Sequence, residues 1–456
     1  MSVETTSPLP DASRARLPWF VFLFLLAVFG VASFAPRLSV DYVTRRDETA
    51  EARLEASVQR TEAGNVARRI ALSSLGGFAL ISLLRRQRNR LGVNGTLGVL
   101  ILLFLLWAAL SILWSHDKPL TFRRVVLLGM LCVGALAVAE RFSFREIMYF
   151  VFLSGYVALA AGLLCELALG TFRPWEPEYR FCGLMNPIFQ GAHCGTVIVA
   201  ALALARTSRK ARSFYVAAAV VAAGFMLLTR SRGPSGATLA AVVVYWALLS
   251  PRFRKVAVFV GIFLAIVLMF PSLGGRVFVA AEDSLLFGRQ VERGYEMQGR
   301  DALWNECLKF SAKRPFLGYG YDAFWTRDFT FAVTDASGFT SQHTHNAFLD
   351  LLLGIGIPGA VMYTLIILLA MKVLFSLYRS THSVHYASAL ALLILYALHN
   401  LFVSVHLAAQ LQTFVVLVIV AKLGFLPTPP DTEPREAGER VAAAPAYAQR
   451  RGESVA

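Results

Sequence analysis

The apolar stretch at residues 93–114, VNGTLGVLILLFLLWAALSILW, decides the fold class. It holds no charged residue, and as an α-helix it would cross the hydrocarbon core of a bilayer, which is about 30 Å thick. The whole chain of 456 residues follows the same composition, with 56% hydrophobic and 16% charged residues. Ordinary soluble domains contain about 25% charged residues. The sequence therefore predicts an all-α integral membrane protein.

Similar apolar runs recur along the chain and predict about twelve transmembrane helices. They lie at about 18–36, 67–84, 93–114, 122–139, 147–169, 187–205, 213–229, 236–250, 255–272, 347–377, 386–402 and 405–424. The first run has a second interpretation, because Ser33-Phe34-Ala35 loosely resembles the cleavage site of a signal peptide. Retaining this run as a transmembrane helix is favoured, because the basic clusters of the later loops then all fall on the cytoplasmic side, as the positive-inside rule requires.

The distribution of basic residues predicts the orientation of the helices. Three dense clusters fall in loops that the predicted spans place on the same side of the membrane. They are Arg85/Arg86/Arg88/Arg90, Arg206/Arg209/Lys210/Arg212 and Arg252/Arg254/Lys255. The positive-inside rule places these loops and both termini in the cytoplasm. The loop at 37–66 is then external although it carries five arginines, and Arg68 and Arg69 follow it. The first two spans are therefore the part of the topology that the rule supports least.

Five regions follow from this topology. A cytoplasmic segment at 1–17 precedes a bundle of about nine spans at 18–272, a large external loop at 273–346, a bundle of about three spans at 347–424 and a disordered, Pro-rich cytoplasmic tail at 425–456. In the large loop, Leu303, Trp304, Cys307 and Leu308 fall on one face of an amphipathic helix. The breakers Pro315, Gly318 and Gly320 follow this helix.

Composition excludes several classes of site. The net charge of +15 does not indicate nucleic-acid binding, because the Lys and Arg residues fall mostly in loops between helices, where topology rules explain them. The five cysteines form no CxxC pair and no metal cage is visible, so we expect no metal and no cofactor. A disulfide from Cys182 to Cys194 or Cys307 stays open.

The strongest chemical signal is Gln342-His343-Thr344-His345-Asn346, which stands immediately before a long apolar span. Histidine is the side chain most easily tuned to act as a base near neutral pH. Asn346 and Asp350 would lie one helical turn apart, and an ionisable residue at the head of a span is costly unless it has a partner. If a helix started at this run, His343 and His345 would point about 200° apart, so that at most one would face a cavity. The alternative is that the histidines are interfacial and structural.

Two arginine motifs form the next signals. Thr229-Arg230-Ser231-Arg232-Gly233 lies in a tight external loop, against the positive-inside rule, and a guanidinium suits phosphate oxygens. The alternative for Arg230 is that it snorkels from the end of a helix. In Gly299-Arg300-Asp301-Ala302-Leu303-Trp304, Arg300 stands one turn before Trp304, where an anion would also meet free helix N–H groups. The alternative there is a surface pair between Arg300 and Asp301.

Together these motifs resemble the O-antigen ligase and polymerase superfamily of membrane glycosyltransferases. The resemblance covers roughly residues 90–425 and includes, in order, a Ser-Arg-Gly element, an Arg before a Trp in the large loop, the turn Pro315-Phe316-Leu317-Gly318, and a His-Asn pair leading into a Gly-rich span. It implies a GT-C-like bundle in a bacterial inner membrane, with the active site on the periplasmic face. It also implies transfer of a glycan from undecaprenyl pyrophosphate to an acceptor hydroxyl without a metal.

The resemblance assigns roles residue by residue. Arg232 and Arg300 resemble the arginines that hold the pyrophosphate, and His345 resembles the essential histidine and presumed base. Asn186 in Met185-Asn186-Pro187-Ile188 and Gln190 match a polar loop that enters a span, more weakly. The extra His343, the extra Arg230 and Pro234 depart from the pattern. The expected substrate-binding residues are Arg230, Asn346, Asp350, His343, Asn186, Gln190 and Trp304.

Several functions share these motifs. An O-antigen ligase, which transfers the glycan to lipid A-core, is the leading expectation, and a polysaccharide polymerase or a protein O-glycan ligase are the alternatives. From another class, a transporter of lipid-linked glycans would use the same arginines only to bind and release. A histidine that activates a hydroxyl distinguishes the enzyme, because transport requires no base. Lipids of the membrane are further expected partners.

Overall fold

The computed structural model describes residues 19–34, 55, 58–59, 66–85, 91–176, 179–250, 259, 261–263, 295–403 and 410–427. Within these residues every regular element is a helix and there is no strand. The predicted all-α class is confirmed. The predicted N-terminal segment at 1–17, almost all of the loop at 37–66, residues 273–294 of the large loop and the tail from residue 428 lie outside the described residues.

Eight helices whose bounds the structure describes precede the large loop. They are α1 (Trp19–Phe34), α2 (Val66–Arg85), α3 (Gly95–Leu110), α4 (Lys118–Arg141), α5 (Phe144–Ala168), α6 (Pro187–Thr207), α7 (Arg212–Leu228) and α8 (Arg232–Leu249). The described part of the large loop contributes α9 (Tyr295–Lys313) and α10 (Arg327–Ser337). The chain continues with α11 (Ala347–Thr381), α12 (Val384–His399) and α13 (Leu411–Phe425). A helix therefore lies at each predicted apolar run except 255–272, most of which is outside the described residues.

Four of these helices, α4, α5, α6 and α11, are long and apolar enough to cross a membrane by length and composition. Five shorter apolar helices, α2, α3, α7, α12 and α13, accompany them. This supports a multi-pass membrane protein. The count of twelve spans and the orientation stay predictions.

Local sequence explains where several helices begin. Ser143 and Glu146 form a capping box at the start of α5, in which each side chain accepts the other residue's backbone N–H. At the start of α4, the Asp117 carboxylate accepts the backbone N–H of Leu120 at 2.9 Å. The Asn346 side chain accepts the N–H groups of Phe348 and Leu349 and so begins α11 at Ala347.

Helix α11 is interrupted at Ile355 and Gly356, where the backbone leaves helical geometry. The loop at 315–320 pairs with this break: the N–H of Tyr319 donates to the Leu353 carbonyl, and that of Gly320 to the Gly354 carbonyl, each at 2.8 Å. The Trp107 indole donates to the Ile355 carbonyl at 2.9 Å. A break in a membrane helix is tolerated only when its freed polar groups find such partners. The Pro-Phe-Leu-Gly turn therefore attaches the segment at 295–346 to the bundle.

The segment at 295–346 has its own small core. Leu303 and Cys307 of α9 pack with Tyr319, Phe324, Trp325 and Val333, and Leu353 of α11 closes the cluster. The predicted amphipathic face is thus correct for Leu303 and Cys307, with Trp304 half-buried. It is wrong for Leu308, which is 49% exposed because the core lies on the Leu303 side of α9. None of the five cysteines, all in described residues, is in a disulfide, which answers the question left open for Cys182.

Candidate functional site

His343 and His345 lie side by side in a non-helical loop. Their ring centroids are 4.1 Å apart, and His345 adopts the left-handed region with a φ of 56°. The expectation that they point about 200° apart is therefore wrong, because α11 begins only at Ala347 and the helical geometry that it assumed is absent. Both imidazoles belong to one site.

The hydrogen bonds of Ser341 define which nitrogen of His345 is basic. The Ser341 hydroxyl donates its single proton to the His343 carbonyl at 2.7 Å and lies 3.3 Å from Nε2 of His345. It can therefore only accept from Nε2–H, which leaves the lone pair on Nδ1. Nδ1 of His345 is buried and has no hydrogen-bond partner among the described residues. This nitrogen is the candidate proton acceptor.

Thr344, between the two histidines, is held through three of its polar groups. Its N–H donates to the Asp350 carboxylate at 3.1 Å, and its carbonyl accepts from the Trp304 indole at 2.7 Å. Its hydroxyl donates to the carbonyl of Asn346 at 2.7 Å. The Trp325 indole also donates to Asp350 at 2.9 Å, which gives this buried carboxylate the partner that its position requires. Trp304, Asn346 and Asp350 thus hold the loop, and their predicted contact with substrate stays a prediction.

Arg300 of α9 acts electrostatically on both histidines of this loop. Burial lowers the pKa of His343 to about 4, and the charge of Arg300 adds to the effect. Burial, His343 and Arg300 in that order lower the pKa of His345 to about 2. Both imidazoles are therefore neutral near pH 7, which is the form that can accept a proton. Arg300 is therefore close enough to both histidines for its charge to lower their pKa values.

The Arg230-Ser231-Arg232 element forms the turn between α7 and α8. Arg232 is the first residue of α8, and Arg230 takes a φ of 48° in the left-handed region. The Arg230 side chain reaches the Glu176 carbonyl at 3.5 Å. The turn packs on α6 at Gly191, where a Cβ would lie only 3.0 Å from the Thr229 hydroxyl. An arginine at a helix start combines its own charge with the N–H groups of the first turn, which together suit an anion.

Arg180 also belongs to this turn, and the sequence analysis did not identify it. Its Nε donates to the Thr229 carbonyl and its Nη2 to the Ser231 hydroxyl, each at 3.0 Å. The carboxylate of Glu166 holds the loop that carries Arg180, by accepting the N–H groups of Cys182 and Gly183. The available signal was the same as for Arg230: an arginine in a loop predicted to be external.

Asn186 and Gln190 each make a local contact within α6. The exposed Asn186 side chain caps α6 by accepting the N–H of Ile188 at 3.0 Å. Gln190 is 1% exposed inside the bundle, with its amide 4.0 Å from the Cys194 sulfur. Each has a structural contact, and the predicted role in substrate binding stays a prediction.

The segment after α12 connects the histidine loop to the arginine turn. The carbonyl of Asn400 accepts the N–H of Ala347 at 2.9 Å, immediately after the loop. Two residues later, Phe402 packs on Gly233, where a Cβ would lie 3.8 Å from the Phe402 side chain. The starts of α8 and α11 are therefore at the same end of the bundle. Among the described residues no group of three or more His, Cys, Asp or Glu side chains could hold a metal ion.

The fold and this site define a multi-pass helical membrane protein with histidines and arginines gathered at one end of its bundle. Residues 217–364 match the family described as O-antigen ligase. This confirms the resemblance drawn from the motifs, over a narrower region than the predicted 90–425. The match includes every predicted site residue except Asn186 and Gln190.

The chain is also similar to the exopolysaccharide production protein ExoQ of Rhizobium meliloti (strain 1021). The two are 26% identical over 295 residues, which cover 59% of this chain and 63% of ExoQ. The chain thus matches a little under two thirds of the length of this relative.

Proposed function

We propose that this protein is a membrane glycosyltransferase that moves a glycan from undecaprenyl pyrophosphate to an acceptor hydroxyl at the periplasmic face of a bacterial inner membrane. The observation that carries the proposal is the pair of neutral imidazoles beside Arg300, with an unpartnered Nδ1 on His345. A neutral base next to a guanidinium matches a reaction in which a proton leaves one substrate while negative charge develops on the other.

The proposed chemical step is a substitution at the anomeric carbon of the donor. The acceptor oxygen bonds to the anomeric carbon of the donor as the bond from that carbon to the phosphate oxygen breaks. The hydroxyl proton moves to Nδ1 of His345, and the pyrophosphate leaves with the electron pair of the broken bond. Arg232 and Arg300 stabilise the charge that builds on the leaving group, and guanidinium groups suit this because they bind phosphate oxygens in bidentate geometry.

Donor binding would also activate the base. In the free protein the charge of Arg300 helps to lower the pKa of His345. Burial and His343 are the larger causes, so a pyrophosphate that offsets the charge of Arg300 raises the pKa of His345 only in part and makes the imidazole a somewhat stronger base.

The acceptor distinguishes three versions of this function. Transfer to lipid A-core, the O-antigen ligase reaction, is supported by the family description over residues 217–364. Transfer to another repeat unit, the polymerase reaction, is supported by the similarity to a protein of exopolysaccharide production. Both use the same donor chemistry. A protein acceptor is a third version that the motifs share.

A reconstituted assay tests the proposal. The purified chain in lipid nanodiscs is given a glycan on undecaprenyl pyrophosphate together with lipid A-core, or with a second copy of the donor. We expect release of undecaprenyl pyrophosphate and growth of one acceptor, which identifies ligase or polymerase. A parallel reconstitution into vesicles tests the alternative. If intact donor moves across the vesicle bilayer and no new glycosidic bond forms under either assay condition, the protein is a transporter.

A further inference from the structure

Arg180 joins the loop between α5 and α6 to the turn between α7 and α8. Its Nε donates to the Thr229 carbonyl and its Nη2 to the Ser231 hydroxyl, each at 3.0 Å. These two acceptors flank Arg230, whose φ of 48° lies in the left-handed region. A non-glycine residue in this region is strained and persists only where its surroundings hold it. The Arg180 guanidinium therefore holds the turn on both sides of its strained residue.

Both residues that accept from Arg180 are buried. Thr229 is fully buried and Ser231 is 4% exposed. The Ser231 hydroxyl also donates to the Thr229 carbonyl at 3.2 Å, so the three residues are joined by a closed set of hydrogen bonds. A guanidinium donates from two nitrogens of one rigid plane and so fixes two acceptors relative to each other. Arg232 follows Ser231 directly, and its place at the start of α8 depends on this arrangement.

The buried carboxylate of Glu166, near the end of α5, anchors the loop that carries Arg180. It accepts the N–H groups of Cys182 at 2.9 Å and Gly183 at 2.7 Å through one oxygen. The Tyr179 hydroxyl donates to the other oxygen at 2.5 Å. Residues on both sides of Arg180 are therefore attached to one carboxylate. A side chain that orients a binding group needs such a rigid support of its own.

The same loop also closes the end of α7. The last carbonyls of a helix have no partner within it. Here the Leu228 carbonyl accepts the N–H of Phe181 at 2.9 Å, and the Thr229 carbonyl accepts from Arg180. A role limited to closing α7 would require only these two carbonyls. The second bond of Arg180, to Ser231, lies beyond the end of α7 and acts on the segment that begins α8.

Ser231 is the N-cap residue of α8, and within this described part of the chain its side chain makes no capping hydrogen bond. An N-cap serine ordinarily accepts the N–H of the second or third helical residue. The third residue here is Pro234, which has no N–H, and Arg180 occupies the serine hydroxyl. The Ser231 hydroxyl therefore does not cover the N–H of Gly233, which directly follows Arg232.

We propose that Arg180 is a positioning residue, which holds this turn so that Arg232 meets the pyrophosphate of the donor. The role rests on the proposed transfer function. Arg232 makes the contact with phosphate, and Arg180 acts through the carbonyl of Thr229 and the hydroxyl of Ser231. Position matters because a displacement of about 1 Å can cost about 10²-fold in rate. The role also explains an arginine in a loop predicted to be external, where the positive-inside rule disfavours it.

Binding of undecaprenyl pyrophosphate to the purified full chain in lipid nanodiscs tests this role. Arg180→Met removes both donors, and the Kd should rise about tenfold because Arg232 is displaced. Arg180→Lys keeps the charge and should have a comparable effect, since an ammonium does not reproduce the planar fork. Arg173→Met removes an exposed arginine from the same loop and should leave the Kd unchanged. An unchanged Kd for Arg180→Met, or wild-type affinity for Arg180→Lys, would overturn the role.

A double-mutant cycle with Arg232→Gln separates positioning from direct binding and from stability. If Arg180 acts through Arg232, Arg180→Met should weaken binding by less than about twofold once Arg232 is replaced, because the two effects are not additive. An equal effect in both backgrounds would mean that Arg180 itself binds phosphate. A lower unfolding midpoint with an unchanged Kd would mean that its contacts serve stability alone. Either result rejects the positioning role.

Ser231→Ala covers the case in which Arg180→Met fails to fold. It removes one of the two acceptors and leaves every charge in place, so the Kd should rise about threefold, the effect of one hydrogen bond. An unchanged Kd would contradict the role. A wild-type chain that binds no undecaprenyl pyrophosphate would reject the proposed donor and this role together. Wild-type binding that neither the Arg180 variants nor Ser231→Ala alter would reject the role of Arg180 alone.

Discussion

Arginine geometry is the first residue-scale test of the site. Arg232→Lys and Arg300→Lys should each lower the transfer rate about 10²-fold or more although the charge is kept, because an ammonium cannot reproduce a bidentate grip on phosphate. The measurement is the initial rate in the reconstituted assay. Arg173→Lys is the matched control, since this exposed arginine pairs with Glu176 in the loop before α6. Near-normal rates in both site variants would mean that neither guanidinium touches the pyrophosphate.

The two histidines also make stability depend on pH. Their pKa values are lowered to about 4 and about 2 in the folded chain, against about 6.5 when unfolded. The unfolded state therefore binds more protons, so stability is lost as pH falls below 6.5 and the loss from His343 ends near pH 4. Unfolding midpoints in detergent between pH 7 and 4 should fall more for the wild-type chain than for a variant with both histidines replaced by glutamine. Parallel curves would contradict the burial of these imidazoles.

The sequence predicts the residues of the candidate site, and part of the predicted geometry differs from the structure. His345, Arg300 and Arg232 were singled out because histidine before a span and arginine in a loop predicted to be external are unusual for physical reasons, and their roles stay predictions. The relation of His343 to His345 was wrong, since helical periodicity was extended to residues that precede the Asn346 cap. Arg180 was not predicted, although it lies in a loop predicted to be external, and its contact with Ser231 depends on the fold of that loop, which Glu166 holds.

At the scale of the elements, the break in α11 is the feature that positions the segment at 295–346. Gly356 has a φ of 68°, and a Cβ there would lie 2.2 Å from the carbonyl oxygen of Phe316. Gly356→Ala should therefore destabilise the chain by about 1–3 kcal/mol for the backbone alone, with the overlap adding to it. The unfolding midpoint and the transfer rate should both fall, because the histidine loop stands at the head of the same helix.

Gly224→Ala in α7 provides the control for this prediction. Apart from its own helix backbone, no atom of the described residues lies within 4 Å of its added Cβ, so the midpoint should be unchanged or slightly higher. An unaltered midpoint for Gly356→Ala would mean that the break in α11 adjusts without cost. The apolar runs predicted the helices themselves, but the break depends on Tyr319, Gly320 and Trp107 from distant parts of the chain, which no local pattern contains.

The topology of the whole molecule can be tested without activity. Reporters fused near residues 88, 208 and 253 should read cytoplasmic, and one near 330 should read periplasmic, because the basic clusters share one parity. The contacts agree with one aspect of this arrangement, since the starts of α8 and α11 lie at the same end of the bundle. A cytoplasmic signal at 330 would place the histidine loop on the wrong side for an extracytoplasmic reaction.

The most direct test of the central claim is the transfer rate of His345→Ala in nanodiscs, with EDTA present throughout and donor binding measured in parallel. The account predicts that the rate falls about 10²- to 10⁴-fold, the contribution of a general base, while the donor still binds. His343→Ala is the matched control, because it removes an imidazole from the same loop and leaves Nδ1 of His345, and it should retain much more activity. Full activity of the His345 variant, or loss of wild-type activity on chelation with recovery on adding metal, would contradict a metal-free reaction with His345 as the base.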